Sequence, residues 1–250
     1  MTDFQFITWQ ASDGAGYLTL KRPPLNVVNI AMLREMCAAL EAAAQDESLR
    51  VLVLRAEGKL FSAGVDVADH TADKVREMIP LFDGVCAALA DFPTPTLAVV
   101  QGHALGGGCE LALCCDLVIA NENANFGQPE IKLAAIAPIA ALKLPGLIGA
   151  RRAAEMLFTG ETLGADEAAR VGLVNRAVPV GEFESVVEQY VAKLRGLSAS
   201  ALRVCKKAIR LGNHLPAMEQ LYLGELMSLE DAHEGVQAFI EKREPIWRNK

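Results

Sequence analysis

The order of the apolar segments constrains this chain most. Short apolar runs at Val51–Leu54, Thr96–Gln101 and Leu117–Ala120 read as buried strands. Between them lie helical patterns. Met32–Gln45 puts Leu33, Met36, Cys37 and Leu40 on one face, and Val75–Leu89 is apolar at 75, 78, 79, 82, 85, 86 and 89. Gly106-Gly107-Gly108 opens a further helix that runs to Cys115. Tyr17–Leu20 adds an earlier strand, ended by Arg22-Pro23-Pro24. Beyond residue 150 the pattern is helical at Arg151–Phe158, Asp166–Val171, Glu182–Arg195, Ser200–Leu211, Leu215–Leu229 and Glu234–Lys242. One strand, Leu173–Val178, interrupts it. This order predicts an α/β core over 1–195 and a helical C-terminal region over 196–250.

Composition narrows the function classes. A 250-residue chain that is 52% hydrophobic can bury a large core. Its net charge of -7 repels phosphate backbones, so nucleic acid is not an expected partner. The six cysteines show no C-x-x-C spacing and join no histidine cluster, so no metal site is expected. They read as small apolar core residues in a reducing compartment. The first residues carry no basic, apolar leader, and the apolar stretch Leu133–Leu142 is too short to span a bilayer. A cytoplasmic protein without membrane partners is expected.

Three segments carry the chemistry. Gly106-Gly107-Gly108 follows a strand and starts a helix, where backbone N–H groups lack helical partners and carry positive potential. Glycine lets a ligand approach that backbone, which suits stabilisation of an oxyanion. A dinucleotide fingerprint fails, because Leu111 stands where its third glycine is required. A phosphate-binding loop fails, because Cys109-Glu110 replaces Lys-Ser/Thr. Taken alone, the triplet also admits the lesser reading of a packing turn between strand and helix. The turn Phe61-Ser62-Ala63-Gly64-Val65-Asp66 can leave the Val65 N–H free, or can be a plain turn with Asp66 as a helix cap. Ser62 is not set up as a nucleophile, since Leu60 stands where the elbow motif needs glycine.

The acids come next. Glu110 lies in an otherwise apolar helix, where burial raises a carboxyl pKa. Glu130 follows the turn Gly127-Gln128-Pro129. Two carboxyls from different segments suit proton removal and delivery, although one surface and one paired core glutamate would fit the same letters. His70, His103, His214 and His233 form no constellation.

In combination these segments resemble the crotonase (enoyl-CoA hydratase/isomerase) superfamily. The resemblance rests on Phe61–Asp66, on Gly102-His103-Ala104-Leu105 with the glycine triplet through Leu111, and on Phe126-Gly127-Gln128-Pro129-Glu130. It extends to Thr159-Gly160, Gly172-Leu173-Val174-Asn175 and Phe239–Arg243, and so covers nearly the whole chain. It implies a crotonase (ClpP-like) β-β-α spiral with a C-terminal helical trimerisation region, and a homotrimer or homohexamer. The implied substrate is an acyl-CoA thioester, with coenzyme A as part of the substrate and no other cofactor. The implied oxyanion hole is the N–H pair of Val65 and Gly107, and the implied catalytic acids are Glu110 and Glu130. Ala63, Gly64, Asp66, Gly106, Pro138 and Lys242 are the further residues expected at the substrate.

Two departures stand out. Family hydratases follow the second glutamate with a glycine-rich turn bearing Thr-Gln-Arg, whereas this chain has Ile136-Ala137-Pro138-Ile139-Ala140-Ala141-Leu142-Lys143. A lysine common after the Asp66 turn is replaced by Ala68-Asp69. Together with Leu25–Ile30, the altered turn is similar to the cyclohexa-1,5-diene-1-carbonyl-CoA hydratases of aromatic compound degradation. The expected reaction is hydration of an α,β-unsaturated or dienoyl-CoA thioester. A short-chain enoyl-CoA hydratase, a double-bond isomerase and a non-catalytic CoA- or RNA-binding relative are the alternatives. Retention of both acids favours hydration over the isomerase, and the acidic charge disfavours RNA.

Overall fold

The structure is a computed structural model that describes residues 4–250. Four successive turns of chain each lay one strand in a large sheet, one short segment in a small sheet, and a helix. Strands β1 (Ile7–Ser12) and β2 (Ala15–Leu20) form an antiparallel hairpin. The chain then passes Val28 and enters α1 (Ile30–Ala44). Next come β3 (Val51–Ala56), the loop around Val65, and α2 (Val75–Ala90). The third turn is β4 (Thr96–Val100), β5 (Ala104–Leu105) and α3 (Gly107–Leu113). The fourth is β6 (Leu117–Asn121), β7 (Asn125–Gly127), then α4 (Pro138–Ile148) and α5 (Ala150–Thr159).

The rest closes the layers: β8 (Thr162–Gly164), α6 (Ala165–Arg170), β9 (Arg176–Val178), α7 (Phe183–Arg195), α8 (Ala199–Arg210), α9 (Leu215–Gln220) and α10 (Glu230–Glu241). The large sheet runs β1-β2-β3-β4-β6-β9, and the small one β5-β7-β8. Parallel bridges Val28–Val65 and Ser62–Ala104 extend the small sheet back to the first turn. This is the expected β-β-α spiral.

Leu52 and Leu54 of β3, with Ala98 and Val100 of β4, face a core completed by α1 to α3. The alternate residues Val51, Val53, Leu97, Val99 and Ile119 pack against α7. Burial on both faces explains why these strands read as continuous apolar runs. At the base of the sheet, Lys206 of α8 reaches Asp116 at 2.6 Å and the Thr94 carbonyl at 3.0 Å. Its ammonium is buried, which pushes its pKa down while Asp116 holds it up. Removing one partner of so buried a pair is expensive, so this contact anchors α8 to the core.

Several expectations are corrected. Strand β1 went unread because it is an edge strand whose later residues are exposed, so no alternation marks it. Leu173–Val178 contracts to Arg176–Val178, because Leu173 N–H turns back to the Ala168 carbonyl after Gly172 at φ 85°. Leu215–Leu229 is not one α-helix: it widens at Leu221–Glu225, which contains the poor helix former Gly224, and tightens at Leu226–Ser228. The region 136–143 is not a turn throughout, for α4 begins at Pro138. No helix among the described residues is long and apolar enough to cross a membrane.

Candidate active site

The loop Ser62–Asp66 is fixed from both sides. Ser62 Oγ donates to the Asn26 carbonyl at 2.8 Å and accepts the Gly64 N–H at 3.1 Å. The Ala63 N–H donates to the Leu25 carbonyl at 2.9 Å. Gly64 has φ 108°, which a side chain would strain. Val28 is hydrogen-bonded to the Gly64 carbonyl and to the Asp66 N–H, at 2.9 and 2.8 Å. The residue between them, Val65, therefore turns its own N–H to the opposite edge, where it has no partner among the described residues.

That edge faces the glycine triplet. A Cβ on Gly64 would stand 3.6 Å from Gly107 N, and a Cβ on Gly107 would stand 2.6 Å from Val65 Cγ2 and 3.1 Å from the Phe82 ring. Gly107 is the first residue of α3, so its N–H has no intrahelical acceptor. The two free N–H groups of Val65 and Gly107 thus lie side by side. A Cβ on Gly108 would strike Ser62, and one on Gly106 would strike the Glu130 carboxylate. Each glycine of the triplet admits a different neighbour. Gly106 also holds φ 52° and ψ -129°.

Glu110 lies on α3, 3% exposed, and its Oε1 accepts the Ala140 N–H at 2.9 Å. Its pKa is pushed up to about 7, chiefly by burial. The charges of Glu130 and Asp83 push the same way, against the N–H groups of Ala140 and Ile139. Proline at the start of α4 has no N–H, so Ile139 and Ala140 carry the first orphan donors, and Glu110 accepts that of Ala140. The region read as an altered turn is thus the helix end that holds Glu110.

Glu130 lies on a single tight turn, Pro129–Leu133, ended by Ala134 in the left-handed region. It is half-buried beside Gly106, and its Oε2 has no hydrogen-bond partner. Burial raises its pKa, while its own N–H and the nearby His70 pull it down. A carboxyl so placed, next to a second raised acid and two free N–H groups, can exchange protons with a ligand held there.

Of the expected substrate residues, Ala63, Gly64, Val65, Gly106, Gly107, Glu110 and Glu130 come together, and Pro138 stands behind Glu110. Asp66 is used locally. It caps the short helix Val67–Asp69 through the Ala68 N–H and pairs with Arg22 at 3.1 Å. Lys242 lies apart, exposed at the C-terminal end of α10 with φ 56°. Sequence reasoning missed Phe82, Asp83 and the Ala140 donor on α4. The proline opening an apolar run was the available signal for α4. Among the described residues no group of three or more acids, histidines and cysteines is arranged to hold a metal. Two large clefts lie elsewhere: about 730 Å³ beside α10 and the C-terminal tail, and about 970 Å³ between α7 and the sheet. Neither is lined by Glu110 or Glu130.

Known proteins resemble this chain in sequence and fold. The family model described as "Enoyl-CoA hydratase/isomerase" matches residues 10–250. The cyclohexa-1,5-dienecarbonyl-CoA hydratase of Thauera aromatica is 37% identical over 251 residues, 97% of this chain and 96% of that one. The 2,3-dehydroadipyl-CoA hydratase of Escherichia coli K12 is 36% identical over 93% of this chain and 94% of its own. The Geobacillus kaustophilus protein solved as "Enoyl-CoA Hydrates Subunit I" superposes with a TM-score of 0.91 at 35% identity, over the full length of both.

Proposed function

The chain belongs to the enoyl-CoA hydratase/isomerase family, as a hydratase-type lyase, and from that premise we propose that it hydrates a compact, conjugated acyl-CoA, cyclohexa-1,5-diene-1-carbonyl-CoA in particular. The observation that carries this reading is the pair of raised carboxyls facing the free N–H groups of Val65 and Gly107. The thioester oxygen accepts both N–H groups, which makes the β-carbon electrophilic and stabilises the enolate that follows. One glutamate takes a proton from water as the C–O bond forms at the β-carbon. An acid then returns a proton to carbon, and the enolate collapses to the thioester. In a conjugated ring the charge extends to a dienolate, so that proton goes to its far end, which is a net 1,4 addition. Ala63, Gly64 and Gly106 shape the entrance to this site, and Asp66, held by Arg22 and the Ala68 N–H, stands at its rim.

Two features support the ring. Pro138, Ile139 and Ala140 form a fixed helix end behind Glu110 in place of a glycine-rich turn. The Thauera relative bears that activity in its name. A rigid ring also presents its diene with little loss of conformational freedom. The expected result is a kcat/KM for the cyclic dienoyl-CoA at least roughly tenfold above that for crotonyl-CoA, which needs only about 1.4 kcal/mol. Equal or faster hydration of crotonyl-CoA points instead to a short-chain hydratase.

The C-terminal region supports self-association. Leu215, Leu223, Phe239 and Ile240 are all exposed, Phe239 by 85%. Apolar surface on that scale favours a partner of the same kind, and a trimer or a pair of trimers is the proposed assembly. Lys242 stands on this region, and its proposed role is to meet the coenzyme A portion of the substrate. Sedimentation at micromolar concentration should show a trimer or hexamer, and a monomer contradicts the assembly.

A further inference from the structure

The segment that braces the Val65 loop is itself held by one buried side chain. Leu25, Asn26 and Val28 face residues 62–66. The Leu25 carbonyl accepts the Ala63 N–H at 2.9 Å, and the Asn26 carbonyl accepts Ser62 Oγ at 2.8 Å. Val28 donates to the Gly64 carbonyl at 2.9 Å and accepts the Asp66 N–H at 2.8 Å. Asn26, in the middle of this segment, is wholly buried at φ 47°. Asparagine is among the few side-chain-bearing residues that tolerate that backbone. Its carboxamide is fully used. Oδ1 accepts the Arg22 N–H at 2.9 Å, and Nδ2 donates to the carbonyls of Glu57 and Leu60 at 2.8 and 2.9 Å. Those carbonyls lie between β3 and the Val65 loop. One side chain thus ties the first turn of the spiral to the second, just ahead of the free N–H.

The two halves of the hole are braced differently. On the Gly107 side, Ser62 is paired with β5: its N–H donates to the His103 carbonyl at 3.1 Å, and its carbonyl accepts the Leu105 N–H at 3.0 Å. Past Ser62 the chain leaves that strand, and its backbone is bonded across to 25–28 instead. The distance between the Val65 and Gly107 N–H groups therefore depends on where 25–28 stands, and the Asn26 carboxamide fixes that.

We infer that Asn26 is a positioning residue, whose carboxamide sets the Val65 N–H against that of Gly107 and so how strongly the hole polarises a thioester oxygen. The inference rests on the reading of this site as an acyl-CoA site. It does not depend on which acyl group is the natural one.

The test uses N26D and N26G. Aspartate keeps the size and the backbone but turns an oxygen toward the Glu57 and Leu60 carbonyls. Glycine keeps the left-handed backbone and removes the carboxamide. In a variant folded by circular dichroism, kcat for crotonyl-CoA should fall at least roughly tenfold with KM changed by no more than about threefold, because the weakened contact strengthens only as the oxyanion forms. The second readout is the infrared carbonyl stretch of bound butyryl-CoA, isotopically labelled at the thioester carbon, which has no double bond to hydrate. Wild type should lower that frequency, and the variants should lower it less. A folded variant with wild-type kcat, or a slow one with the wild-type carbonyl shift, overturns the positioning role while hydration itself stands. Failure of both variants to fold also overturns it, and makes Asn26 a folding residue. A wild type that neither shifts the carbonyl nor hydrates crotonyl-CoA or the cyclic dienoyl-CoA overturns the functional reading, and this inference with it.

Discussion

Replacing Glu110 or Glu130 by glutamine lowers kcat by about a hundredfold or more in each case, the common scale for losing a general acid or base. Glutamine keeps the shape of the side chain and an oxygen that still accepts the Ala140 N–H, so α4 stays docked on residue 110. What is lost is the exchangeable proton. At Glu110 that proton titrates at about 7, so the acid and the base are both populated at neutral pH. The glutamine variant should also be more stable than the wild type in alkali. The folded-state pKa is raised, so the native protein loses stability as pH climbs from the unfolded value through about 7, and glutamine removes that loss. The difference should close below about pH 3.5, where glutamic acid is largely protonated in both states. A variant with near-wild-type turnover removes its residue from the mechanism.

The second large effect is at Gly107. Gly107→Pro deletes one of the two N–H groups at the first position of α3, where proline suits the helix. It also adds a Cβ that crowds Val65 and Phe82. Gly107→Ala adds the same carbon and keeps the N–H, so the pair separates crowding from hydrogen bonding. With both variants folded by circular dichroism, the proline form should be slower than the alanine form by on the order of a hundredfold. Equal rates make Gly107 a packing glycine.

Most of the spiral was legible because its strands are buried on both faces and its helices have one apolar stripe. The glycine triplet was legible as a site, but only the structure shows why all three residues are glycine: Glu130, Val65 and Ser62 fill the places of three side chains. The contacts that tune the site were not legible. Glu110 is held by the backbone N–H of Ala140, 30 residues further on, whose side chain reveals nothing of that bond. The letters around Asp66 do not show that Arg22 and the Ala68 N–H hold it. Each of these depends on register between distant elements, which no local pattern encodes.

The central claim is that this site adds water across a conjugated acyl-CoA. The most direct measurement incubates the enzyme with the cyclic dienoyl-CoA, and separately with crotonyl-CoA, in heavy-oxygen water and follows the product by mass spectrometry. The account predicts a hydroxyacyl-CoA heavier by one labelled water, with the label in the hydroxyl group and formation suppressed in Glu110→Gln and Glu130→Gln. An unlabelled product of unchanged mass with a shifted double bond, or no conversion of either thioester, would contradict it.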